Sequence, residues 1–129
     1  MSDATQTARE RILALDAPRT DVVDMPEWGM KVCVVTLSLL DSSLASALEA
    51  QAMGPADAPR YPAEKRGAIG VAAHICVAAR DPETGARIFE DADVDAIAKL
   101  DSEVVSRLYL RSRRLSSAGA AGIEGEKKG

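Results

Sequence analysis

An α+β fold, mainly helical, with about five helices and one N-terminal β-hairpin packed on them, is what the chain of 129 residues predicts. Three features point to it. The composition is 47% hydrophobic yet holds only four aromatic residues, Trp28, Tyr61, Phe89 and Tyr109, so the core is aliphatic and alanine-rich, which favours closely packed helices. Two runs rich in β-branched residues flank a single turn signal, Pro26-Glu27-Trp28-Gly29. Elsewhere, apolar residues recur three and four apart behind capping residues.

In chain order, Ser2 or Asp3 caps a short helix with Ala8, Ile12 and Leu15 on one side, and Pro18 forbids its continuation. Asp21-Val22-Val23 and Lys31 to Leu37 then read as two strands. Pro26 fixes the entry to the turn between them, and Gly29 supplies the positive φ that a tight turn requires. Ser38 or Asp41 caps a helix whose inward stripe is Leu40, Leu44, Ala47, Leu48 and Gln51. Met53 to Pro62, with three prolines and a glycine, is an exposed loop. Glu64 to Arg80 is apolar nearly all round, so it belongs at the centre of the domain. Asp81 to Gly85 stops it with turn chemistry, and Ala86 to Phe89 is extended, with Ile88 or Phe89 reaching inward. Asp91 caps a helix carrying Val94, Ile97 and Leu100. Asp101 or Ser102 caps the last one, with Val104, Val105, Leu108 and Leu115 inside. Residues 1–115 are thus expected to form one compact domain, and 116–129, with little to bury, a disordered tail.

The totals exclude some functions. A net charge of −4 leaves no clustered basic footprint for nucleic acid. The longest apolar run, Gly67 to Ala79, is interrupted by His74 and falls short of the ~20 residues that span a bilayer, so no membrane anchor is expected. Cys33 and Cys76 have aliphatic flanks and no CxxC spacing, and read as buried thiols. Met1 to Glu10 lacks the basic start and apolar run of a signal peptide, which implies a reducing cytoplasm.

No residue constellation announces catalysis or a cofactor. His74, the only histidine, inside an apolar helix is a core group with one satisfied hydrogen bond rather than a general base. Asp91, Asp93 and Asp95 alternate as some calcium ligands do, but lack the loop glycine and closing glutamate, so capping accounts for them better. Gly67 and Gly70 lack the lysine and hydroxyl of a phosphate loop and suit close helix packing. The sequence therefore points to a protein that grips another protein. Candidate contact residues are Trp28, Tyr109, Arg111 and Arg114. A hairpin-locking role for Trp28 and a solvated helix end for the arginines stand beside that reading as the simpler ones.

In order and spacing the chain resembles the tail assembly chaperones of long-tailed bacteriophages. The resemblance rests on Ile12-Leu13-Ala14, the acidic, valine-rich Asp21 to Asp24, the Pro26 to Gly29 turn and Lys31 to Ser38. In the second half it rests on Asp81 to Gly85, Arg87-Ile88-Phe89, Glu90 to Leu100 and Arg114-Leu115-Ser116. Family members usually follow the Leu-Ser step with a charged helix; Leu39-Leu40-Asp41-Ser42-Ser43 departs from that, so the partner surface is expected to differ there. The resemblance implies a non-enzymatic protein without cofactor in the host cytoplasm, able to self-associate. It would coat the tape measure protein and help recruit tail tube subunits, then leave before the virion is complete. It also implies a longer form made by ribosomal slippage, for which Glu126-Lys127-Lys128 is compatible with a slippery adenine run. The competing expectation is a small neck or tail-completion protein retained in the particle.

Overall fold

A computed structural model describes residues 7–14 and 18–128, with side chains through Ser116. Among these residues the chain forms five α-helices and one three-stranded antiparallel sheet. In order they are α1 (Ala8–Ala14), β1 (Thr20–Met25), β2 (Met30–Val35), α2 (Leu39–Met53), α3 (Arg66–Ala78), β3 (Ala79–Arg80), α4 (Val94–Ala98) and α5 (Ser102–Lys128). The mainly helical α+β class and the hairpin agree with the sequence expectation.

The hairpin pairs Thr20 with Val35 through to Met25 with Met30. Its turn is a short 3-10 segment, Pro26–Trp28, closed by Gly29 at φ +66°, a left-handed conformation that side chains rarely adopt. β1 alternates cleanly: Asp21, Val23 and Met25 face the core, and Thr20, Val22 and Asp24 face out.

The third strand corrects the sequence reading, which carried one helix from Glu64 to Arg80. α3 instead begins at Arg66, behind a 3-10 turn at Ala63–Lys65, and ends at Ala78. Ala79 turns extended, and Ala79 and Arg80 pair with Val34 and Cys33. Arg80 still serves the helix end, since its Nε donates to the Val77 carbonyl at 3.1 Å. The Asp81–Gly85 turn then reverses the chain, with Gly85 N–H donating to the Asp81 carbonyl at 2.8 Å. Of the four residues expected to be extended, Arg87 bridges to Arg80, and Ile88 and Phe89 are both partly buried against the core.

α3 is the centre of the molecule. Ile69, Ala72, Ala73, Ile75, Cys76, Val77 and Ala78 are all buried, packed by α2, α4 and α5. Burial of this breadth is the main stabilising term, at about 25 cal/mol per Å² of apolar surface. α5 crosses β1 and β2, burying Val104, Val105 and Leu108 against Val23, Met25, Val32 and Val34. Arg19 Nε donates to the Leu115 carbonyl at 3.0 Å and ties the start of β1 to this helix.

Several local expectations change. The Thr7 hydroxyl accepts the Glu10 N–H at 3.1 Å and caps α1, all of whose residues are exposed, Ile12 included; Ser2, Asp3 and Leu15 lie outside the described residues. Ser38 caps α2 by accepting the Asp41 N–H at 3.1 Å. That helix buries Leu48, Ala52 and Met53, whereas Leu40, Ala47 and Gln51 are exposed. Ahead of α4, Glu90 and Asp93 form a reciprocal capping box around a 3-10 turn, so the cap is Glu90 and not Asp91. Leu100 is largely exposed beyond α4. Asp101 caps α5, accepting the N–H groups of Glu103 and Val104 at 2.9 and 3.3 Å. Helical backbone continues to Lys128. The tail expected over 116–129 falls, from 117 on, outside the residues whose side chains are described.

Candidate protein-interaction surface

The arginines of α5 divide by helix face. Arg107 and Arg111, four apart, project toward the hairpin. The Arg107 guanidinium donates to both oxygens of Glu27 at 2.7 and 2.6 Å, and Arg111 donates to Asp21 at 2.8 Å. The fork-to-fork geometry is the strong form of such a pair. The hydrogen bonds from Arg107 are the largest cause holding the Glu27 carboxyl at a pKa of about 2. Arg111, a candidate contact residue, is thus bound within the chain. Arg113 and Arg114 are exposed and form no ion pair among the described residues.

Trp28 sits on the turn with its ring edge-on to Phe89, centroids 6.3 Å apart and planes at 82°. It is half-buried against the core cluster, which fastens the hairpin tip to the segment leading into α4. Tyr109 lies on the opposite flank of α5, edge-on to His74 at 5.3 Å. The structure therefore separates the sequence-selected residues: Trp28 by the turn, Tyr109 against α3, Arg111 on β1, and Arg114 in solvent.

The one histidine sits in a recess of about 350 Å³ bordered by Ala45, Ser46 and Glu49 of α2, Gly70 and His74 of α3, and Tyr109. Its Nε2 is 2.8 Å from the Ser112 hydroxyl. Burial first, then the charge of Arg113, lowers the His74 pKa, so the ring is neutral near neutral pH. Ser112 is 1% exposed, and a hydroxyl so enclosed has no room for a substrate carbon. The pair acts as a polar tie between α3 and α5. Gly70 supplies the close approach at this place: a Cβ there would lie 2.6 Å from Glu49 Oε1, whereas Gly67 faces open space.

Cys33 and Cys76 are free thiols; Cys76 is buried and Cys33 partly so. Cys76 Sγ is 3.1 Å from the Glu90 carbonyl, and burial is the largest cause raising its pKa. Asp93 belongs to the capping box. Asp95 instead accepts from Tyr61 at 2.7 Å and Arg60 at 2.9 Å, which anchors the proline-rich loop. No cluster of three His, Cys, Asp or Glu able to hold a metal occurs among the described residues. No described helix is long and apolar enough to cross a membrane.

What the surface does offer is apolar side chain in water. Leu39 is 88% and Leu40 82% exposed at the first turn of α2, and Ile12 and Leu13 are exposed on α1. Large aliphatic groups held this far out add nothing to the core and are available to a partner. Sequence reasoning put Leu40 inside; counting back seven from buried Leu48 reaches Asp41, and that spacing was the signal to use.

The sequence matches no family model and no curated protein. Among solved structures, the tail assembly chaperone of bacteriophage HK97 superposes with a TM-score of 0.56 at 18% identity, covering 84% of this chain and 98% of that one. The two share a fold.

Proposed function

We propose that this chain is a bacteriophage tail assembly chaperone, working in the bacterial cytoplasm by reversible protein binding without catalysis. The single observation that carries the reading is the fold shared with the HK97 tail assembly chaperone over nearly all of that protein. The surface supports it in kind. The polar side chains that could do chemistry are tied up within the core, while Leu39 and Leu40 stand in solvent beside charged groups. The clients are the tape measure protein, whose long apolar-striped helices need shielding before the tube forms, and the tail tube subunits. Exposed leucines on a rim of charge give contacts strong enough to cover such stripes and weak enough to release them.

Co-expression with the tail tube and tape measure proteins of the same phage, followed by affinity capture, tests this. Co-purification with either client, together with absence of the chain from purified virions by mass spectrometry, is the expected result. No capture combined with stoichiometric presence in finished tails would overturn it in favour of a neck or tail-completion component.

A further inference from the structure

One edge of the sheet is open. The strand order is β1-β2-β3, and β1 pairs with β2 alone. Thr36 N–H donates to the Arg19 carbonyl at 2.9 Å. That bond and the register direct the backbone groups of Asp21, Val23 and Met25 toward β2 and those of Thr20, Val22 and Asp24 away from it. The outward N–H and C=O groups are a template for another strand. β1 lacks the usual protections of an edge: within Thr20–Met25 there is no proline, lysine or bulge, and Val22 is 48% exposed.

We infer that β1 pairs antiparallel with β1 of a second copy about a two-fold axis through Val22, joining two three-stranded sheets into one of six strands. This goes beyond the proposed function and does not depend on it. In that register the groups meeting across the axis are self-complementary. Val22 opposes Val22 of the second copy, and Thr20 opposes Asp24, a hydroxyl donor facing a carboxylate acceptor. Asp21 opposes Val23, and its charge is already met by Arg111 within its own chain. No acidic residue opposes another. Moving the register by one residue in either direction takes the open hydrogen-bonding groups out of phase.

The helix beneath the sheet fits the same axis. α5 runs along β1, with Arg107 bound to Glu27, Arg111 to Asp21 and the Leu115 carbonyl to Arg19. Val22 and Leu110 therefore lie at the same height. Arg107, Leu110 and Arg114, at positions i, i+3 and i+7, form the flank of α5 beyond β1, and Leu110 is 59% exposed. With strands about 4.8 Å apart and α5 seated over β1 and β2, the two copies of α5 stand about 10 Å apart, the spacing of packed helices. Leu110 then covers Leu110 under the sheet as Val22 covers Val22 above it. Arg114 reaches the end of the second copy's β1, where its Glu27 carboxylate is still partly exposed. The occupant is a second copy because only an antiparallel twin gives both apolar residues a like neighbour on one axis.

Sedimentation velocity on the full chain reads the mass, and a dimer is expected. Val22→Pro removes an N–H that points away from β2, so the hairpin ladder survives while the incoming strand is blocked. It should halve the mass with an unchanged circular dichroism spectrum. Leu110→Glu, on the helix, should weaken the dimer without touching the strand. The register is read directly by Val22→Cys combined with Cys33→Ser, the latter because Cys33 lies opposite Val22 in the same sheet. Oxidation should give a disulfide-linked dimer. A wild-type chain that stays monomeric, a dimer that survives both Val22→Pro and Leu110→Glu, or a cysteine variant that never cross-links overturns the pairing. A monomer that still captures tail proteins would overturn this inference and leave the proposed function standing.

Discussion

His74 and Ser112 meet 2.8 Å apart in the α3–α5 contact, and their bond is a fair measure of what a single residue can reveal. That a lone histidine in an apolar helix needs one partner follows from its chemistry; that the partner lies 38 positions away follows only from packing. Ser112→Ala strands the ring nitrogen, and should cost about 1–3 kcal/mol in urea unfolding with the m-value unchanged. Glu27 gives a second test, with its pKa at about 2 against an ordinary 4.5. A carboxyl lowered in the folded state contributes stability that is present above the unfolded value and is lost as pH falls from 4.5 through about 2. Glu27→Gln should flatten that part of the stability profile measured by denaturant titration across the window, because the variant has no proton to take up. The clasp itself was not legible: Arg107 and Arg111 read as a solvated helix end, since nothing local to them names Glu27 or Asp21, 80 and 90 residues away.

Among the elements, those whose signal is local were legible and those that depend on a distant partner were not. Gly29 and the runs about it mark the hairpin unaided, and Ser38 and Asp101 mark helix starts by what their side chains accept. β3 escaped notice because Ala79 and Arg80 have no strand preference of their own; they extend only because β2 offers an open edge. α2 was found but rotated, a one-residue error in phase that moved Leu40 from solvent to core. The hairpin's attachment is testable at Trp28. Trp28→Ala removes a half-buried indole and its edge contact with Phe89, and should lower stability by about 2–3 kcal/mol by thermal or urea unfolding. A folded variant with wild-type stability and lost client capture would instead make Trp28 a binding anchor.

For the molecule as a whole, the fold class was readable from composition and periodicity, whereas the working surface was not, because exposure of an aliphatic residue is decided by helix phase and not by its type. Leu39→Ser with Leu40→Ser should leave stability within about 0.5 kcal/mol, as both side chains already stand in water. Capture of the tail proteins should fall at the same time, and paired unfolding and affinity measurements on one preparation check both. The bond from Arg19 to the Leu115 carbonyl, 96 positions apart, has a consequence for engineering. The two ends of the packed body lie side by side, so the chain can be rewired. A circular permutant that links Ser116 to Pro18 through a few glycines and opens in the exposed stretch at Ala56–Ala58 keeps every buried residue. It should fold with a native-like circular dichroism spectrum. It would also free both natural ends of the body from carrying a fusion, so that a reporter attached at the new termini sits beside α2, remote from the Arg19–Leu115 pole.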